Sequence, residues 1–100
     1  MQWKDITTYS HGDRVRTPRV WELDFGNRIL LTVHRHIYYE DTWLMSGRIY
    51  GAEVINMIDL HTNDVEQAKA KAKIEFRKRL IYYKKIIEAA MSELSEVESE

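Results

Sequence analysis

From Asp64 to about Met91 the chain runs without a glycine or proline, and its apolar side chains return every three or four residues. Val65, Ala68, Ala72, Phe76, Leu80, Tyr83, Ile87, Ala90 and Leu94 form one continuous stripe, the signature of an amphipathic helix. Asn63, with Glu66 three residues on, resembles a capping box, and Asp64 suits the positive end of the helix. Some 28 residues at about 1.5 Å each span about 42 Å, against about 30 Å for a nine-residue strand. A helix of that length must overhang any sheet that the rest of a 100-residue chain can build.

What precedes the helix follows a period of two. In Arg19 to Phe25 the odd positions are apolar and most even ones polar, and Gly26-Asn27 signals a turn. Arg28 to Tyr38 alternates again, Glu40-Asp41-Thr42 makes a second turn, and Trp43 to Tyr50 reads as a third strand. Residues 53–60 are a fourth short strand or a buried connection. A three-residue first loop pairs Leu23 with Leu31 and Trp21 with Val33, which brings both apolar sets to one face. A three-residue second turn pairs Tyr39 with Trp43, Ile37 with Met45 and Val33 with Ile49, with Arg35 opposite Gly47. The expected core face is then Trp21, Leu23, Phe25, Ile29, Leu31, Val33, Ile37, Trp43, Met45 and Ile49. The expected fold is α+β: a three- or four-stranded antiparallel sheet packed on one long C-terminal helix, β-β-β(-β)-α. Residues 1–18, largely polar, read as an arm or loop, with Trp3, Ile6 and Tyr9 placed to cover a sheet edge. Residues 19–91 form the domain, and residues 92–100 an acidic, disordered tail.

The overall charge of −1 conceals a pattern. Residues 61–87 carry eight Lys/Arg against three Asp/Glu, and residues 88–100 carry five Glu and no basic residue. The absence of cysteine excludes disulfides, zinc-thiolate sites, iron–sulfur clusters and thiol nucleophiles. No apolar run approaches a membrane span and residues 1–14 hold no apolar stretch, so a cytoplasmic protein without a secretory signal or membrane contact is expected.

Three surfaces are candidates for function. The outward sheet face gathers Arg28, His34, His36, Tyr38, Arg48 and Tyr50 around Leu30, Thr32, Leu44 and Ser46, beside Glu22 and Asp24. Aromatic and arginine side chains supply interface anchors, so this face suits a protein partner. The helix overhang presents Leu80, Ile81, Tyr82, Ile86 and Ile87 on more sides than one sheet can cover, which suits a homodimer. Lys69, Lys73, Arg77 and Lys84 lie roughly along one side of the helix and offer phosphate contacts for RNA or DNA.

Other chemistry is thinly represented. His34-x-His36 is the one metal-like spacing, with His11, Glu22 or Asp24 as third ligand, and no metal or cofactor is expected from so incomplete a set. Asp13, Asp24, Asp59 and His61 can be assembled into a nuclease site only on paper, and no catalytic motif accompanies them, so an enzyme is not expected.

The segment Glu66 to Ala72 is similar to the second helix of a double-stranded-RNA-binding domain. That family opens with a helix and clusters lysines at the start of its last one, where this chain has Asp64 and Glu66. Residues 20–91 as a whole, a Trp-bearing antiparallel sheet followed by a long helix entered through Val65-Glu66-Gln67-Ala68-Lys69, resemble small proteins of phages and mobile elements. Anti-CRISPR and other anti-defence proteins are among these. The resemblance implies a stoichiometric inhibitor that blocks a surface of a host defence protein, such as a CRISPR effector. A charge of −1 departs from the acidic nucleic-acid mimics of that group.

Overall fold

The computed structural model describes residues 2–9, 17–26, 28–35 and 42–98, with side chains through residue 95. Five antiparallel strands form one meander, β1 (Lys4–Asp5), β2 (Val20–Asp24), β3 (Ile29–His34), β4 (Leu44–Ile49) and β5 (Ala52–Asp59), in sheet order β1-β2-β3-β4-β5. One helix, α1 (Val65–Glu98), follows them among the described residues. The class is the expected α+β, with five strands instead of three or four.

The additional strand comes from the N-terminal arm. Lys4 pairs with Glu22 and Asp5 with Trp21, so β1 covers the β2 edge. Polar side chains hold it there. The Asp5 carboxylate accepts hydrogen bonds from the Thr7 amide (3.0 Å), the Thr7 hydroxyl (2.5 Å) and the Tyr9 hydroxyl (2.6 Å). Thr7 Oγ1 in turn accepts from the backbone amides of Arg19 and Val20.

The β2–β3 register is the expected one, with Leu23 opposite Leu31 and Trp21 opposite Val33. The β3–β4 register is not: Ile29 pairs with Ile49, Leu31 with Gly47 and Val33 with Met45, a shift of four residues. An even shift keeps every side chain on its face, which is why alternation alone could not detect it. Packing decides the register. Phe76 of α1 sits over Gly47, its Cε1 only 2.7 Å from where a Cβ would stand, and the groove it fills is flanked by Ile55. Arg35 stacks beside Trp43, 5.3 Å from its ring centroid, and not opposite Gly47.

Residues 53–60 are mostly strand. Tyr50 and Gly51, with φ of 50° and 82°, form a two-residue hairpin turn into β5. Two register shifts interrupt the β4–β5 ladder, on either side of the Gly47–Ile55 pair, and Met57 takes a φ of 50°. The core comprises Leu23, Leu31, Val33, Trp43, Met45, Ile55 and Leu60 beneath Ala68, Ala72 and Phe76 of α1. Two residues depart from the expected core face: Phe25 sits at its exposed margin, and Leu44, on the other face between His34 and Asp59, is buried. Ile37 and Tyr39 lie outside the described residues.

Asp64, not Asn63, caps α1. Its side chain accepts from the Glu66 amide (2.9 Å) and its carbonyl from the Ala68 amide (2.9 Å). The helix continues through Glu98, so residues 92–98 extend it where a tail was expected. Ala89, Ala90, Met91 and Leu94 favour helix and nothing there breaks it. At about 1.5 Å per residue its 34 residues span about 51 Å. The radius of gyration is 17.3 Å, against about 13 Å for a compact chain of this length. The difference is the projecting half of α1.

Candidate interaction surfaces

Ala68, Ala72 and Phe76 use the first turns of α1 to cover the sheet, and Leu80 closes that contact from its margin. Beyond Leu80 the stripe has nothing from the described part of its own chain beneath it. Ile81, Tyr82, Ile86, Ile87, Met91 and Leu94 are 44–63% exposed. Of the expected dimer residues, Leu80 therefore belongs to the edge of the core. Ile87 lies on the continued stripe, and Ile86 and Tyr82 form its flank. Ile81, six residues before Ile87, points about 120° away from it. Met91, four residues after Ile87, joins the expected set, since its spacing places it beside the stripe.

Tyr82 has a second environment. With Ile55 and Ile58 it lines a groove beside β5, edged by Glu75, Lys78 and Arg79. Ile74, Lys71 and Glu75 continue that groove past Ile58 to His61. Tyr82 also packs edge-on against Tyr83, with ring centroids 5.5 Å apart.

The outward sheet face is a shallow depression shared by β1-adjacent Ile6 and all four longer strands. Of its expected residues, the structure brings Arg28 and Tyr50 together at one end, the guanidinium 5.6 Å from the ring centroid. Tyr50 belongs to the hairpin turn and not to a strand, because its left-handed backbone makes the turn with Gly51. His34 Nε2 lies 3.3 Å from Ser46 Oγ, which also accepts the Met57 amide. Arg48 pairs with Glu53 at 3.4 Å, an exposed contact of little energetic weight. His36 and Tyr38 lie outside the described residues.

The four residues proposed for nucleic acid do not form one row of available cations. Lys69 turns inward: its ammonium is 3.9 Å from the Trp21 ring centroid and 5.8 Å from that of Trp3, with only 12% of the side chain exposed. Lys73 and Arg77 edge an apolar groove with Phe25 and Leu80. Lys84 lies 3.9 Å from Glu88.

Among the described residues, no three of His, Asp and Glu come together in a way that could hold a metal ion. Asp24 and Asp59 stand at opposite corners of the sheet, four residues along and three strands across from one another. The Asp59 carboxyl is held below its ordinary range by the Thr42 hydroxyl and then by the His61 amide, which makes it a turn-forming group. Asp13 and His11 lie outside the described residues. No described helix is long and apolar enough to cross a membrane.

No protein-family model, curated protein or solved structure matches this chain.

Proposed function

We propose that this chain is a non-enzymatic protein–protein interaction module of the cytoplasm. In this reading it is a stoichiometric inhibitor of the kind that phages direct at host defence proteins such as CRISPR effectors. The observation that carries the reading is the projecting half of α1, with six large apolar side chains in solvent. Burying one such side chain is worth about 1.5–3 kcal/mol, so a surface that leaves several exposed is built to meet another surface. The outward sheet face, with Arg28, Arg48 and Tyr50, adds the polar and aromatic contacts that orient a partner.

Site-specific photo-crosslinking tests this. A benzophenone side chain placed at Tyr82 or Tyr50 in cells is expected to give protein adducts that survive nuclease treatment, while the same probe at exposed Gln2 gives none. Adducts that disappear with nuclease would overturn it in favour of nucleic-acid binding. An affinity for a short duplex that falls steeply between about 50 and 200 mM salt would overturn it in the same way.

A further inference from the structure

We propose that the occupant of the projecting helix is a second copy of this chain, packed antiparallel, which leaves the outward sheet face to a different protein. The inference rests on the interaction-module reading and assigns one of its two surfaces.

Three observations point to a second copy in this orientation. The first is continuity. The stripe that buries Ala72 and Phe76 against the sheet runs on through Tyr83, Ile87, Ala90 and Leu94 at a 4-3-4 spacing, the seam of a paired helix.

The second is charge. Residues 61–87 carry a net +5 and residues 88–100 a net −5. A parallel pair would set like charges side by side. An antiparallel pair sets the acidic end of each helix against the basic segment of the other, so the helix is complementary to itself when reversed.

The third is the position of the sheet. It covers the same face of α1 that carries the seam, from Ala68 to Leu80. Paired helices approach to about 8–10 Å, whereas a sheet beneath each helix takes about that distance by itself. In a parallel pair both sheets would have to fit between the two helices at the same end. In an antiparallel pair the sheets stand at opposite ends, and each helix terminus runs back toward the sheet of the other copy, beside exposed Phe25. The shared seam is then residues 83–94, about 18 Å long, with Tyr83 level with the partner's Leu94 and Ile87 level with the partner's Ala90.

The test is the solution mass by sedimentation equilibrium, combined with charge reversal and single cysteines, which are clean in a chain without its own. The mass is expected to rise with concentration from 12.0 kDa toward twice that value. Ile87→Asp should hold it at the monomer with an unchanged tryptophan emission spectrum, since Trp3, Trp21 and Trp43 all pack in the sheet domain. Lys84→Glu with Lys85→Glu, or Glu93→Lys with Glu96→Lys, should each weaken dimerisation at least tenfold, and all four together should restore it. Leu94→Cys chains mixed with Tyr83→Cys chains should form a disulfide that Leu94→Cys chains alone do not. A chain that stays monomeric, a quadruple variant without recovery, or a Leu94→Cys chain that links readily to itself would overturn the inference. Adducts to another protein at Tyr82 would survive that failure, so the two readings fail separately.

Discussion

Replacing Gly47 by alanine puts a methyl carbon 2.7 Å from Phe76 Cε1, 3.1 Å from Cδ1 and 3.6 Å from Ile55 Cβ. Ordinary contact begins near 3.4 Å, so the ring must retreat by roughly 0.7 Å. The ring is fully buried, and its way out is toward the groove it lines with Phe25 and Leu80, which would pull it off the sheet. Overpacking of this kind costs about 1–3 kcal/mol, and the lost backbone freedom of the unfolded chain returns about 0.4–1 kcal/mol. The net expected loss is about 1–2 kcal/mol, or a thermal midpoint lower by about 5–15 °C for a domain of this size. Phe76→Leu alone leaves a void and also destabilises. The double variant should be more stable than the sum of the two by at least about 1 kcal/mol, because the new methyl fills the space the ring vacates. Chemical denaturation of the four proteins measures the coupling. Additive effects, or a Gly47→Ala chain as stable as its parent, would refute the placement of Phe76 over Gly47. They would favour the register shifted by four residues, in which Gly47 faces Arg35.

Two more outcomes follow from named contacts. Lys69→Gln removes a cation from between Trp21 and Trp3 and should cost about 1 kcal/mol by thermal melting, whereas Lys73→Gln, four residues on and exposed, should change stability by less than about 0.5 kcal/mol. Equal effects would contradict the inward position of Lys69. The Asp5 carboxyl is lowered from 3.8 by the Thr7 hydroxyl, then the Tyr9 hydroxyl and the Thr7 amide. Its folded form therefore binds fewer protons than its unfolded form, so its contribution is complete above that ordinary value and is lost as pH falls through the lowered one. Hydrogen exchange at the Ile6 amide, which bonds the Val20 carbonyl, should report the arm loosening on acidification. Asp5→Asn should loosen it already at neutral pH, and protection unchanged in that variant would rule the anchor out.

Whatever a single periodicity controls is legible in the residues. The 3.6-residue stripe announces α1 and its overhang, and the two-residue alternation of β2 and β3 sets Leu23 against Leu31. The failures have particular causes. Nothing in alternation distinguishes registers four residues apart, and the β3–β4 choice belongs to a contact between Phe76 and Gly47 that lie 29 positions apart in the chain. The strand at 52–59 is interrupted by its two register shifts and the left-handed backbone of Met57, which spoil its pattern. The arm is held by Asp5, Thr7 and Tyr9, polar residues that look like any loop until their partners are seen. Lys69 is legible but easily misread. It lies seven residues before Phe76 and eleven before Leu80, which places it within the apolar stripe and not on the basic side.

The composition of the overhang is what the proposed interaction rests on. A helix segment with no tertiary contact is marginal in water, and charged and alanine side chains suffice to keep it soluble and helical. The turns from Ile81 to Leu94 instead contain three isoleucines, two tyrosines, a methionine and a leucine, and those on the seam keep the heptad spacing of the covered half. Apolar residues in open solvent do nothing for the stability of this chain as a monomer. They acquire a stabilising role only when a second surface removes them from water, and then at about 25 cal/mol per Å² buried. Were that surface a second copy, the charge reversal that begins at Glu88 would give the contact a direction, because a reversed copy of the helix presents its acidic end to the basic segment. In the proposed dimer the apolar seam supplies the contact, and the charge pattern beside it selects the antiparallel orientation.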